Sequence, residues 1–163
     1  MSAPSHSILI VEDNPDDLFI LKWAFTRAGT PNELHHVENG QQAIDYLAGI
    51  GPYHDRSIHP LPSLILLDLK LPMKHGLEVL AWIRQQPAFR GTIVVILTSS
   101  SEDKDVSRAY DLGANAFLVK PTSAETLTEI VRAVDVFWLQ HNKYRVPSPI
   151  TLNLWPHVPV QAK

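Results

Sequence analysis

The stretch Leu64-Ile65-Leu66-Leu67-Asp68 decides the fold. Four branched apolar residues run without a break into a carboxylate, and Pro62 and Pro72 bracket them. A short unbroken apolar run predicts a strand buried on both faces, the habit of a central parallel strand. Asp68 then stands at the carboxyl end, where open α/β sheets bind ligands. On this stretch alone, capping of the next turn is an equally good reading of Asp68.

The pattern recurs along the chain. Ser7-Ile8-Leu9-Ile10-Val11 is a second buried-strand run and it ends on Glu12-Asp13. Thr92 to Thr98 is another, ending on hydroxyls, and Asn115 to Val119 ends on Lys120-Pro121; Glu33 to Val37 is a weaker strand. Helices are predicted between them. Asn14-Pro15-Asp16-Asp17 opens the first, with Asn14 as N-cap, Pro15 at the first helical position and two carboxylates toward the positive end of the dipole. Leu18, Leu21, Phe25 and Ala28 form its apolar stripe, which Ile20 and Trp23 widen. Further helices carry Ala43, Ile44 and Leu47, then Leu77, Leu80 and Ile83, then Val106, Ala109 and Tyr110. Thr122-Ser123-Ala124-Glu125 is read as a capping box before a last helix with Leu127, Ile130, Val131, Val134 and Trp138 inward. The loop from Gly49 to Pro62 is long for its class, so it is expected to be functional or mobile.

Five strands alternating with five helices predict a doubly wound α/β fold with a parallel sheet and right-handed crossovers. Such a fold brings Glu12, Asp13, Asp68, Thr98 and Lys120 to one rim. Adjacent carboxylates repel, and a hard divalent cation resolves the conflict. Mg²⁺ takes one or two carboxylates, here Asp13 and Asp68 with Glu12 acting through water, and fills its other positions with water and phosphoryl oxygens. Lys120 and Thr98 are the cation and hydroxyl that hold a phosphoryl group, so Asp68 reads as a nucleophile toward phosphorus. A flavin-phosphate site of the flavodoxin type is disfavoured because Glu12-Asp13 would repel the phosphate. A haloacid-dehalogenase-like hydrolase needs a second acid two residues after the nucleophile, and that position is Lys70.

With 163 residues, 45% hydrophobic and 19% charged, the chain is the size of one globular domain plus a tail. Its net charge of -3 supplies no basic field for nucleic acid, so no DNA partner is expected. No segment approaches the roughly 18 apolar residues of a membrane span. Absence of cysteine excludes disulfides and thiolate chemistry. Met1 to Ser7 has no signal-peptide character, and a cytoplasmic protein is expected.

The ordered set Glu12-Asp13, Asp68, Pro72, Gly76, Thr98, Phe117 and Lys120-Pro121 resembles a response-regulator receiver domain of two-component signalling, over about residues 7–142. Thirty residues separate Asp68 from Thr98, and 22 separate Thr98 from Lys120, as is typical of receivers. The resemblance implies a CheY-like sheet of strand order 2-1-3-4-5. It implies that Asp68 accepts a phosphoryl group from a sensor histidine kinase and that the domain catalyses its own phosphorylation and dephosphorylation without being classed as an enzyme. Mg²⁺ would be held by Asp13, Asp68 and the backbone carbonyl of Lys70. Lys120 would pair with the phosphoryl group, and Thr98 and Phe117 would act as the switch. A cis Lys120-Pro121 bond is also implied. Lys70 stands where relatives often carry a shorter polar residue. Gly51-Pro52-Tyr53 and Phe137-Trp138-Leu139 resemble the stand-alone receivers that partner bacterial phytochromes. The competing readings are an Mg²⁺-dependent phosphohydrolase with Asp68 as nucleophile, and a docking module indifferent to phosphorylation.

His35 and His36 are read as structural or exposed, and Trp23, Phe25 and Trp82 as helix-face packing. Nothing after about His141 is long enough for an output domain. The Pro-rich segment 143–163 contains Ile150-Thr151-Leu152-Asn153-Leu154-Trp155, and a homodimer through the last helix and this arm is expected.

Overall fold

The computed structural model describes residues 5–145. Five strands form one parallel sheet in the order β2-β1-β3-β4-β5. They are β1 (Ser7–Val11), β2 (Glu33–Val37), β3 (Leu64–Leu67), β4 (Ile93–Thr98) and β5 (Ala116–Val119), with α1 (Pro15–Ala28), α2 (Gly40–Ala48), α3 (Gly76–Gln85), α4 (Asp103–Asp111) and α5 (Ala124–Val134) between and after them. The predicted doubly wound sheet and its order are therefore the observed ones. The three central strands are buried on both faces because alternate residues enter separate cores. Leu9, Ile65, Leu67, Val94 and Ile96 pack with α2 and α3. Ile8, Ile10, Leu64, Leu66 and Val95 pack with α1 and α5. Burying one such aliphatic side chain stabilises by about 1.5–3 kcal/mol, which is why these runs tolerate no polar residue before the strand end.

The stripe on α1 is narrower than its sequence suggests. Leu21, Ala24 and Phe25 are buried, whereas Ile20 and Trp23 are exposed. Positions 20 and 23 lie outside the arc that meets β1 and α5, and the Arg27 guanidinium lies 5.7 Å from the Trp23 ring. Trp82 does pack on the core, next to Phe89.

The loop from Gly49 to Pro62 contains a short 3-10 turn, Gly51–Tyr53. The Arg56 guanidinium donates to the carbonyls of Tyr46 and Leu47 at 2.7 and 2.8 Å, closing the C-terminus of α2. The cap of α5 is Ser123, not Thr122, and the residue three places on is Thr126, so no capping box forms there. A capping box does form at α3, between His75 and Glu78. Finally, Lys120-Pro121 is not cis, since no cis peptide occurs among the described residues. Trans is the ordinary preference of an X-Pro bond, by about 0.5–1 kcal/mol.

After α5 the chain continues as a π-helical stretch, Asp135–His141. Tyr144 then folds back onto the α1–α5 core and bonds His6. The proposed arm lies outside the described residues from position 146 onward. Among the described residues, no helix is long and apolar enough to cross a membrane.

Candidate functional site at the carboxyl rim of the sheet

Parallel pairing carries the ladder one residue past three strand ends, and that residue is polar each time. Glu12 N–H donates to the Val37 carbonyl at 3.1 Å, Asp68 N–H to Val11 at 3.1 Å, and Lys120 N–H to Thr98 at 2.8 Å. Because Val11 pairs with Leu67, Glu12 and Asp68 emerge side by side. His36 fixes the Glu12 backbone further by donating Nε2–H to its carbonyl at 2.7 Å. Behind Asp68, a Cβ on Gly76 would collide with the Asp68 carbonyl oxygen, so only glycine lets α3 begin this close.

Lys120 is the centre of the rim. Its Nζ donates to Glu12 Oε2 at 2.6 Å and to Asp68 Oδ2 and Asp17 Oδ2 at 2.8 Å each. The ammonium side chain is 15% exposed, against 4% for Glu12, 7% for Asp68 and 42% for Asp17. Burial works against the lysine's charge, but its hydrogen bonds to Asp17, Asp68 and Glu12 outweigh burial and raise its pKa above the usual lysine range. Burial also pushes the Glu12 carboxyl above its usual range, and the bonds from Lys120 and the Asn14 N–H offset this only in part.

Glu12, Asp13 and Asp68 each place one carboxylate oxygen within 4.8 Å of the others. This is an all-oxygen, anionic donor set with more carboxylates than one ammonium neutralises, which suits a hard divalent cation. Lys70 directs its backbone N–H to Asp68 Oδ1 at 3.3 Å and its side chain to solvent. Thr98 is fully buried, its hydroxyl oxygen accepting a long bond from Ser100 N–H at 3.4 Å. Phe117 lies on β5 opposite Ile96, partly buried against the α2–α3 core. Glu12, Asp68 and Lys120 are thus in direct contact with Asp13 beside them, while Thr98 and Phe117 stand behind them on β4 and β5.

Sequence reading missed Asp17. The helix dipole accounts for its place in the first turn, and Asn14 Oδ1 does accept from its backbone N–H at 3.0 Å. Its carboxylate nonetheless turns back to Lys120. The available signal was its place at the third helical position, since helical side chains lean toward the N-terminus, here toward the rim.

The model of the response regulator receiver domain matches residues 8–132. The chain belongs to that family. Among its relatives is the probable methanogenesis regulatory protein FilR2 of Methanothrix harundinacea, 38% identical over 142 residues, 87% of this chain and 88% of FilR2. Another is the response regulator Rcp1 of Synechocystis, 37% identical over 139 residues, 85% of this chain and 92% of Rcp1. The Mn(2+)-bound form of Rcp1 aligns with a TM-score of 0.77, 35% identity and coverage of 86% and 99%. The phosphorylated cyanobacterial phytochrome response regulator RcpA aligns with a TM-score of 0.80, 35% identity and coverage of 89% and 100%. The receiver is therefore a phosphorylation-accepting component of two-component signalling, homologous to phytochrome response regulators. Its family implies a sensor histidine kinase as partner and a divalent metal at the acidic pocket, and is generally not classed among enzymes.

Proposed function

We propose that Asp68 is the phosphoryl acceptor and that Mg²⁺ assists it, held by Asp13, Asp68, the Lys70 carbonyl and, through water, Glu12. The observation that carries this reading is the 2.8 Å contact between Lys120 Nζ and Asp68 Oδ2 at a rim with excess negative charge. The metal, when bound, neutralises carboxylate charge and ligates a phosphoryl oxygen. The chain's own groups do the rest. The sheet register holds Asp68 outward, the Lys70 N–H and Lys120 orient its two oxygens, and Lys120 supplies a charge partner for the incoming anion. Together with the metal, these are the groups by which the domain would catalyse its own phosphorylation. Adding about -1.5 to -2 charges at Asp68 gives Thr98 and Lys120 a partner in one state only, the differential interaction a switch requires, with Phe117 as the aromatic that follows.

The donor on this reading is the phosphohistidine of a sensor kinase of the phytochrome class, by analogy with Rcp1 and RcpA. A homodimer is favoured by an apolar cleft at the sheet's β5 edge, lined by Ala116, Leu118, Ile130, Ala133, Phe137 and Trp138. Phe137 is 59% exposed there. A cytoplasmic setting accords with the absence of cysteine.

Incubation with acetyl phosphate and Mg²⁺ tests the acceptor. One phosphoryl adduct is expected on the parent and none on Asp68→Asn. Continuous turnover of acetyl phosphate without an adduct would instead mark a hydrolase, and neither adduct nor turnover a docking module. For the dimer, Phe137→Glu is expected to yield a monomer by light scattering; an unchanged mass rejects that face.

A further inference from the structure

The phosphoacceptor reading leaves one carboxylate of the rim unused. An ammonium has three N–H donors, and Glu12, Asp17 and Asp68 occupy all three in this arrangement. A phosphoryl oxygen on Asp68 that recruits Lys120 must therefore displace one of them. Releasing Glu12 would strand a buried carboxylate without its cation, and Asp68, an acyl phosphate after transfer, keeps its remaining carbonyl oxygen beside the same ammonium. Asp17 differs: its side chain is 42% exposed, on the first turn of α1, and water can take over its hydration. A cleft of about 60 Å³ beside Asp17, Ile20, Lys120 and Pro121 gives the carboxylate room to swing. The N-cap of α1 does not depend on the released group, because Asn14 holds the Asp17 backbone N–H.

We propose that Asp17 is a positioning residue: it holds the Lys120 ammonium in the resting rim and releases it when Asp68 is phosphorylated, so that it restrains phosphoryl transfer. The inference rests on Asp68 being the acceptor. In the transfer, one Asp68 carboxylate oxygen forms a bond to phosphorus. The bond from phosphorus to the donor's leaving atom breaks, and that group departs with the electron pair, as acetate from acetyl phosphate. Lys120 then pairs with a phosphoryl oxygen using the N–H that Asp17 gave up. The contact also places a negative charge beside the path of an anionic donor, a second reason for Asp17 to slow the reaction.

The test compares the parent with Asp17→Asn and Asp17→Ala, measuring the rate of adduct formation from acetyl phosphate and Mg²⁺ by intact mass. Both variants are expected to react about three- to tenfold faster. A second readout is the ¹⁵N resonance of the Lys120 ammonium. In the resting Asp17→Asn protein it is expected to move toward its position in the phosphorylated parent, a shift that a merely structural role for Asp17 would not produce. Equal or slower rates in both variants, or an unmoved Lys120 resonance, overturn the proposal. Failure of the underlying reading looks different: the parent forms no adduct, or Asp68→Asn still forms one.

Discussion

The sheet buries a carboxylate near each of its two rims, and the two are treated in opposite ways. Asp68, at the carboxyl rim, and Asp135, at the amino rim, are 6% and 3% exposed. Asp135 is met by neutral donors: the Asn32 amide takes one oxygen and the Gln140 amide the other at 2.6 Å. Asp68 instead shares one ammonium with Glu12 and Asp17. Asp135 is thus satisfied within the fold, whereas the carboxyl rim keeps excess negative charge that a cation can relieve. Burial is common to both carboxylates, and the excess negative charge around Asp68 is what separates it from Asp135 on the proposed reading.

Removing the donor or the acceptor at each rim sharpens this contrast. Lys120→Met leaves three carboxylates without their cation, and unfolding in chelator is expected to cost about 3–4 kcal/mol less than for the parent. At about a hundred times its dissociation constant, Mg²⁺ should return some 2–3 kcal/mol of that. No recovery would mean the rim is not a cation site. Asp135→Ala strands two amides and is expected to lose about 2–3 kcal/mol that Mg²⁺ does not restore. Its rate of phosphorylation by acetyl phosphate should stay within about twofold of the parent, as additivity requires of distant sites. A larger change would couple the two rims.

Smaller effects follow from charge. The folded pKa of Glu12 is raised above its ordinary value of 4.5, so its stabilising contribution is present below that value and lost as pH rises through the folded pKa. Glu12→Gln removes this loss while keeping an acceptor for Lys120. The melting temperature of the variant relative to the parent is therefore expected to climb as pH rises from below 4.5 through the folded pKa. A flat difference contradicts the assignment. The smallest effect concerns Lys70, whose backbone touches Asp68 while its side chain is exposed. Lys70→Asn is expected to change the decay rate of the phosphorylated form by about two- to fivefold. Identical decay in both proteins would remove Lys70 from the control of lifetime.

Much of the carboxyl rim was legible in the sequence because Glu12, Asp68 and Lys120 each follow an apolar run, and a parallel sheet converts strand ends into neighbours. Glu12, Asp68 and Lys120 were found in this way. Asp17 was hidden by a sufficient local explanation, the dipole of α1, and only the tertiary placement of Lys120 revealed its second partner. Asp135 gave no signal, since Asn32 lies 103 residues away in sequence and no local pattern links them. The width of the α1 stripe was overread at Ile20 and Trp23 because periodicity gives the direction of a buried face, while its arc depends on the neighbours that cover it. The role of Arg56 was likewise invisible, because closing a helix terminus from a loop eight residues downstream leaves no periodic trace.

The most direct test of the contrast is to locate the phosphoryl group. The parent is treated with acetyl phosphate and Mg²⁺, the acyl phosphate is reduced with borohydride to leave homoserine at the modified aspartate, and the peptides are sequenced by mass spectrometry. Homoserine at position 68 and aspartate at 135 is the expected result. Homoserine at 135, or at any acid other than Asp68, would contradict the assignment of the reactive carboxylate to the carboxyl rim.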